Sequence, residues 1–251
     1  MKNVLKMAGA GLVMMAALGG HAGAAEDHPA VKRAFDLPPS ADLTYSIGAR
    51  QRGFNVNGDA TLTWRVNDGK YAISAESRVA LLGKLTENRS KGIVDSWGLA
   101  PTEYFDKRFR KDPTTSTFDR DAKTITFSDS DKSYPVKGGE QDRVSVSWQL
   151  VAIARAAKDK FKPGSEWQFF VIGPRDADPW TFRVVGREKI QAGPTLGEVD
   201  AVHVVRVPPD AKDQTLDLWL APGHEWYPVK LRFTDHDRDY VEQTLEKIVK
   251  K

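Results

Sequence analysis

The residue types that most often do chemistry are sparse in this chain and poorly spaced for it. Of the five histidines, His21 falls in an apolar leader, which leaves His28, His203, His224 and His236. His28 lies in a polar stretch that reads as a disordered lead. His203 alternates with Val205 and Val207 and reads as a half-buried strand histidine, because a catalytic base needs a positioned partner that spacing does not supply. No Gly-x-Ser-x-Gly turn frames a serine: Ser165 follows Gly164, and Ser145 and Ser147 stand on a helical stretch outside that frame. There is no His-Glu-x-x-His pair for zinc. Asp235-His236-Asp237-Arg238-Asp239 alternates acids, with Glu246 at the twelfth position of a calcium loop. Tyr240 takes the sixth position, where the turn needs glycine, so the segment reads as a polar hairpin turn. The 34 acids are spread over many turns and nominate no pair for glycoside hydrolysis. No catalytic residue, metal ligand or cofactor is assigned.

Two other groups remain. Lys107-Arg108-Phe109-Arg110-Lys111 is a dense basic run; on a strand, Lys107, Phe109 and Lys111 face one way and the arginines the other. Such a run could meet anionic lipid or polysaccharide, or simply keep a solvated edge strand from aggregating. The second group is aromatic: 7 Trp, 11 Phe and 6 Tyr. Most sit at alternating strand positions, where core is the ordinary place for them. Trp97, Trp180 and Trp226 stand beside turns and are candidates for a partly exposed rim that stacks on sugars or grips acyl chains. Trp148 lies on the helix described next, off its apolar stripe. The candidate ligand-binding residues are therefore Trp97, Trp148, Trp180, Trp226 and Phe109.

The elements that must position them are almost all strands. Leu62, Trp64 and Val66, then Tyr71, Ile73 and Ala75, alternate with polar residues on either side of Asn67-Asp68-Gly69, which predicts a β-hairpin. Similar runs, each bounded by turn residues, continue to Val136 and resume from Trp167 to the C-terminus. Between them, Val146, Leu150, Ile153, Ala154, Ala157 and Phe161 fall on one helical face, predicting a helix over about 143–161 with Asp142 as N-cap and Pro163-Gly164 as the stop. Residues 240–250 fit either period and are assigned to a strand. The expected fold is mainly β: one strongly curved antiparallel sheet or partial barrel, with a single main helix plugging or flanking it. The strand groups before and after the helix could be halves of one sheet.

Composition narrows the setting. Lys2 and Lys6, an apolar run from Met7 to Gly20 and Ala22-Gly23-Ala24 predict a secretory signal over residues 1–24. That run is too short to span a bilayer. A polar lead follows over 25–40, then a single β-rich domain over 41–251. Cleavage removes two lysines and no acid, taking 37 basic residues against 34 acidic ones to 35 against 34. A nearly neutral chain lacks the basic footprint of a nucleic-acid binder. All four methionines go with the leader and there is no cysteine, so disulfides and thiolate chemistry are excluded. The expected location is the periplasm, with no integral membrane segment after cleavage.

Several segments in order resemble the exported bacterial family DUF3108. They are Leu43–Ile47 leading into Gly58–Leu62, the hairpin strand Lys70–Ala75, Asp95–Phe105 with its Trp97-Gly98-Leu99-Ala100-Pro101 core, and the helix from Asp142. Leu218-Trp219-Leu220-Ala221-Pro222 and Tyr227–Leu231 complete the series. The resemblance implies an envelope-located β-rich protein with no assigned reaction, similar in its curved sheet to periplasmic lipoprotein carriers, and it brings no functional residues to carry over. The leading expectation is a non-enzymatic protein that binds or carries an apolar or amphipathic envelope ligand. The alternatives are a cell-wall polysaccharide-binding or glycan-active protein, and a structural envelope-assembly factor. The partner expected is a lipid or glycan of the cell envelope.

Overall fold

The computed structural model describes residues 28–80, 82–157, 159–210, 213–235 and 239–251. The predicted leader, Lys158 and His236, Asp237 and Arg238 of the acid-rich turn lie outside them. Alternating burial runs through the first strand, β1 (Ala41–Gln51), where every second side chain from Ala41 to Gln51 is buried. There follow β2 (Phe54–Asn67), β3 (Lys70–Val79), β4 (Gly83–Asp95) and β5 (Gly98–Arg108), the last opening with four successive buried residues, Gly98 to Pro101. Shorter strands β6 (Thr114–Asp119), β7 (Thr124–Phe127), β8 (Ser130–Pro135) and β9 (Gln141–Asp142) lead to helix α1 (Ser145–Ala157). After it come β10 (Glu166–Ile172), β11 (Ala177–Gln191), β12 (Glu198–Val207), β13 (Thr215–Leu220), β14 (Pro228–Thr234) and β15 (Tyr240–Lys250).

All fifteen strands belong to one sheet, ordered β8-β7-β6-β5-β4-β3-β2-β1-β15-β14-β13-β12-β11-β10-β9. Neighbours are antiparallel except β9 with β10. The predicted hairpin is β2–β3, and its turn residues Asp68 (φ 50°) and Gly69 (φ 69°) are both left-handed, as a type I′ turn requires. Arg52 and Gly53 make a similar turn between β1 and β2, unforeseen because Arg52 is not a usual turn residue. The two strand groups are indeed halves of one sheet: β1 pairs with β15 from Ala41–Lys250 to Arg50–Tyr240. Residues 240–250 are therefore a strand, as assigned.

The sheet curls until its two ends face each other. β8 and β9 lie at opposite ends of the strand order, yet only five residues (136–140) join them, a reach of about 20 Å at most. Tyr104, Phe118, Ile125 and Phe127 from one end pack on Phe170, Ile172 and Ala177 from the other. Ser116 Oγ donates to the Gly173 carbonyl across the gap at 2.8 Å. A seam of side chains thus closes the partial barrel where a backbone ladder would close a full one.

Helix α1 plugs the interior. Asp142 caps it: one carboxylate oxygen accepts the N–H groups of Val144 and Ser145 (2.8 Å each), and Ser145 Oγ accepts the Asp142 N–H at 2.9 Å. The helix ends at Ala157, short of the expected 161. Pro163 constrains the residue before it to extended backbone, so the chain turns earlier, and Phe161 reaches the core from that turn. Nine of its 13 residues are buried, more than a single stripe would give. Val146, Leu150, Ile153 and Ala154 pack on β10 to β14, while Trp148 packs on β1 to β3. No described helix is long and apolar enough to cross a membrane.

From residue 28 on, the lead is tied to the domain. The His28 side chain is buried, stacked on Phe170 at 4.4 Å with its Nε2 3.0 Å from Glu140 Oε1. Downstream, the Asp36 N–H donates to the Ala152 carbonyl, and the carbonyls of Pro38 and Pro39 accept from Trp64 Nε1 and the Tyr227 hydroxyl. The polarity of this stretch conceals its role: its backbone supplies the partners that buried aromatic N–H and O–H groups need.

Candidate ligand-binding site

Between the plug and the two half-sheets lies a cavity of about 80 Å³. The inward period of the strands supplies its walls. Leu62, Trp148, Trp180, Leu216, Leu231 and Phe233 form the apolar side. The β3–β4 side is polar: Ser77 Oγ and Thr86 Oγ1 share a 2.6 Å hydrogen bond, Asn88 donates to Asp106 at 2.9 Å, and Glu76 pairs with Lys84 at 2.8 Å. The hydrogen bond from Lys84, reinforced by Arg78, holds the Glu76 carboxyl below the usual carboxylate range. A chamber with one apolar wall and one hydrogen-bonding wall suits an amphipathic guest.

The aromatic wall is rigid. Trp148 stacks on Trp64 at 4.6 Å and 13° and meets Tyr227 edge-on at 5.9 Å. The Arg206 guanidinium lies 4.5 Å over Trp180, and burial pushes its pKa down to about 10. Below the helix cap, the Tyr71 hydroxyl shares a 2.9 Å bond with Ser90, which donates in turn to Asp142. Burial pushes the Asp142 carboxyl up to about 6.

Of the five candidate residues, Trp148 and Trp180 line this cavity. The other three stand elsewhere. Trp97 is half-buried at the β4–β5 turn, against Gly138 and Gly139. Trp226 is packed edge-on against Phe161 at 5.7 Å. Phe109 sits in the β5–β6 turn. Trp180 and Trp226 are 3% and 8% exposed, so they are core residues where a partly exposed rim was expected; the curl of the sheet covers turns that a flat sheet would leave open. Of Lys107 to Lys111 only Lys107 and Arg108 lie on a strand, the end of β5, where they pair with β4 alone, and the rest is the β5–β6 turn. The wall residues Tyr45, Leu231 and Phe233 were not singled out by sequence; their only signal was ordinary strand alternation.

His203 is the half-buried strand histidine expected, and it has partners: Nε2 is 2.7 Å from Asp217, Nδ1 is 3.3 Å from Glu188, and its ring stacks on Trp219 at 4.5 Å. The described residues hold no group of three or more His, Asp or Glu placed to bind a metal ion.

The family model DUF3108, a protein of unknown function, matches residues 42–239. Curated proteins give no match. Among solved structures, a β-barrel-like protein of the unknown-function family DUF1849 from Brucella abortus is similar with a TM-score of 0.59 at 12% identity, over 87% of this chain and 100% of that one. A domain from Vibrio parahaemolyticus, named as a candidate outer membrane lipoprotein-sorting protein, gives a TM-score of 0.33 at 10% identity, over 85% of this chain and 86% of that one. The first likeness is one of fold.

Proposed function

The chain belongs to the DUF3108 family, and we propose that this member is a non-enzymatic protein of the periplasm that holds an apolar or amphipathic envelope ligand inside its curled sheet. The observation that carries this reading is the cavity with one aromatic wall and one polar wall, enclosed by the helix and both half-sheets. The leader read in the sequence supports the location. The size of the cavity sets a condition. Small-molecule sites run to about 300–1,000 Å³, and an apolar void of about 150 Å³ is needed for a guest as small as benzene. At about 80 Å³ the chamber is smaller than such sites, so an acyl chain enters it only if its walls move apart.

The test is saturable uptake of a fluorescent apolar probe, with native mass spectrometry for a co-purifying lipid. Trp148→Ala is a poor variant for it, because removing a stacked, buried indole costs about 3–5 kcal/mol of stability. Ala60, which lines the cavity, is better. Ala60→Leu fills the space, and a folded Ala60→Leu protein should take up less probe than wild type. If folded wild type takes up none, a structural role in the envelope is the better account. A glycan-hydrolysing reading finds less support: Glu76 is the one carboxylate among the residues lining the chamber, and it is already ion-paired.

A further inference from the structure

We propose that three neighbouring hairpin tips of the four at one end of the N-terminal half-sheet form a docking surface for an anionic lipid bilayer. β1, β3 and β5 run in the same direction and alternate with β2 and β4, so the β1–β2, β3–β4 and β5–β6 turns stand side by side at one rim. The first tip projects furthest. β2 pairs with β3 only from Asp59 onward, and Gly58 still lies against Arg78 and Val79, which leaves residues 54–57 paired with β1 alone. At its end Phe54 is 57% exposed, the highest value for a large hydrophobic side chain among the described residues, with exposed Arg50 and Arg52 beside it. The middle tip carries half-buried Leu82. The third carries Phe109 with the Arg110 guanidinium 4.9 Å over its ring and Lys111 exposed next to it.

The charge on this rim is not spent internally. Arg78 and Lys84 are paired with Glu76, but Arg50, Arg52, Arg110 and Lys111 make no ion pair among the described residues. Asp59 and Asp112 are the exposed acids beside these tips, Asp129 in the fourth turn of this rim is paired with Arg175, and Asp239, across from the first tip, accepts the Arg52 backbone N–H at 2.7 Å. The turns at the other end of the same strands carry Asp68, Asp95, Asp119 and Asp121, with Lys70, Arg120 and Lys123 among them. The corresponding rim of the C-terminal half carries Asp210, Asp213 and Asp235, with Arg175 and Asp176 in the β10–β11 turn. Basic side chains around an exposed aromatic ring are thus confined to one place. Cations draw such a surface to anionic headgroups, and the ring then enters the interface between headgroup and acyl chain. A purely ionic partner, such as an anionic polysaccharide, would leave Phe54 without a role.

Docking stands apart from the cavity reading, since vesicle binding and probe uptake are separate measurements. Full-length mature protein should sediment with phosphatidylglycerol vesicles and not with phosphatidylcholine vesicles, and added salt should release it. Phe54→Asp should weaken vesicle binding about tenfold. Arg50→Glu with Arg52→Glu should do at least as much. Val185→Asp, at a position 50% exposed on β11, should change nothing. Because the chain has no cysteine, Phe54→Cys and Val185→Cys each take one environment-sensitive dye. Only the dye at position 54 should report an apolar environment on vesicles. Unchanged thermal midpoints would show that the variants fold. The proposal is overturned if wild type ignores phosphatidylglycerol, if Phe54→Asp and Val185→Asp behave alike, or if dextran sulfate binds while neither dye responds to vesicles.

Discussion

Asp142 does two jobs that pull against each other. It caps α1 through accepting oxygens, and it sits fully buried beside Ser90 and Tyr71, where a charge is poorly solvated. Its carboxyl is pushed from an ordinary 3.8 up to about 6 in the fold. A raised folded value means that the folded state holds the proton more tightly than the unfolded chain does. Its stabilising share is therefore complete below about pH 4 and lost as pH rises through about 6, a swing of up to about 3 kcal/mol. Asparagine keeps the capping oxygen and cannot ionise. Asp142→Asn should flatten the rise of the thermal midpoint between pH 6.5 and pH 4; the same slope in both proteins would assign it to another group. The capping role of Asp142 was legible from its place before the helical stripe. Its titration was not, because only the fold shows that β3 and β4 bury it.

At the level of elements, one side chain ties the plug to the sheet. Gln149 of α1 accepts the Leu99 N–H at 2.8 Å and donates to the Trp97 carbonyl at 2.9 Å, acting as a short extra strand for the β4–β5 turn. Gly98 lies between these bonds at φ 104°, and a Cβ there would fall 2.4 Å from the Gln149 amide. Gln149→Leu leaves a buried donor and acceptor unpaired and should lower the unfolding free energy by about 2–4 kcal/mol in urea titration. Gly98→Ala should cost a similar amount through the clash and the left-handed backbone. Periodicity found strands such as β1, where burial alternates at every second residue, and the apolar stripe of the helix. It missed the second buried side of α1, since a polar Gln and an off-stripe Trp look like a solvent face until a curled sheet surrounds them. The same limit explains the candidate site. Trp180 was named for its place beside a turn and Trp148 for its place off the helical stripe, while Tyr45, Leu231 and Phe233 become wall residues only through curvature, which no local pattern encodes.

On the scale of the whole molecule, β1 to β8 and β10 to β15 each build by hairpins between neighbours in sequence, and no backbone ladder joins β8 to β9 across the seam. Amide exchange should accordingly be fastest at β8 and β9, the ends of the strand order, and slowest where β1 meets β15. That central pairing has a consequence for how the molecule is assembled. β15 follows every other strand in the chain and yet stands at the middle of the sheet, about two hundred positions from its partner. Until it arrives, β1 and β14 are two long open edges, able to recruit strands from other chains. Closing so long a loop is slow, so the two hairpin stacks should collapse first and fuse late. A chain ending at Thr234 should therefore accumulate as insoluble aggregates, and a synthetic peptide of residues 239–251 supplied during refolding should recover soluble, folded protein. Completion by an added strand would make assembly of this sheet a docking reaction between preformed halves.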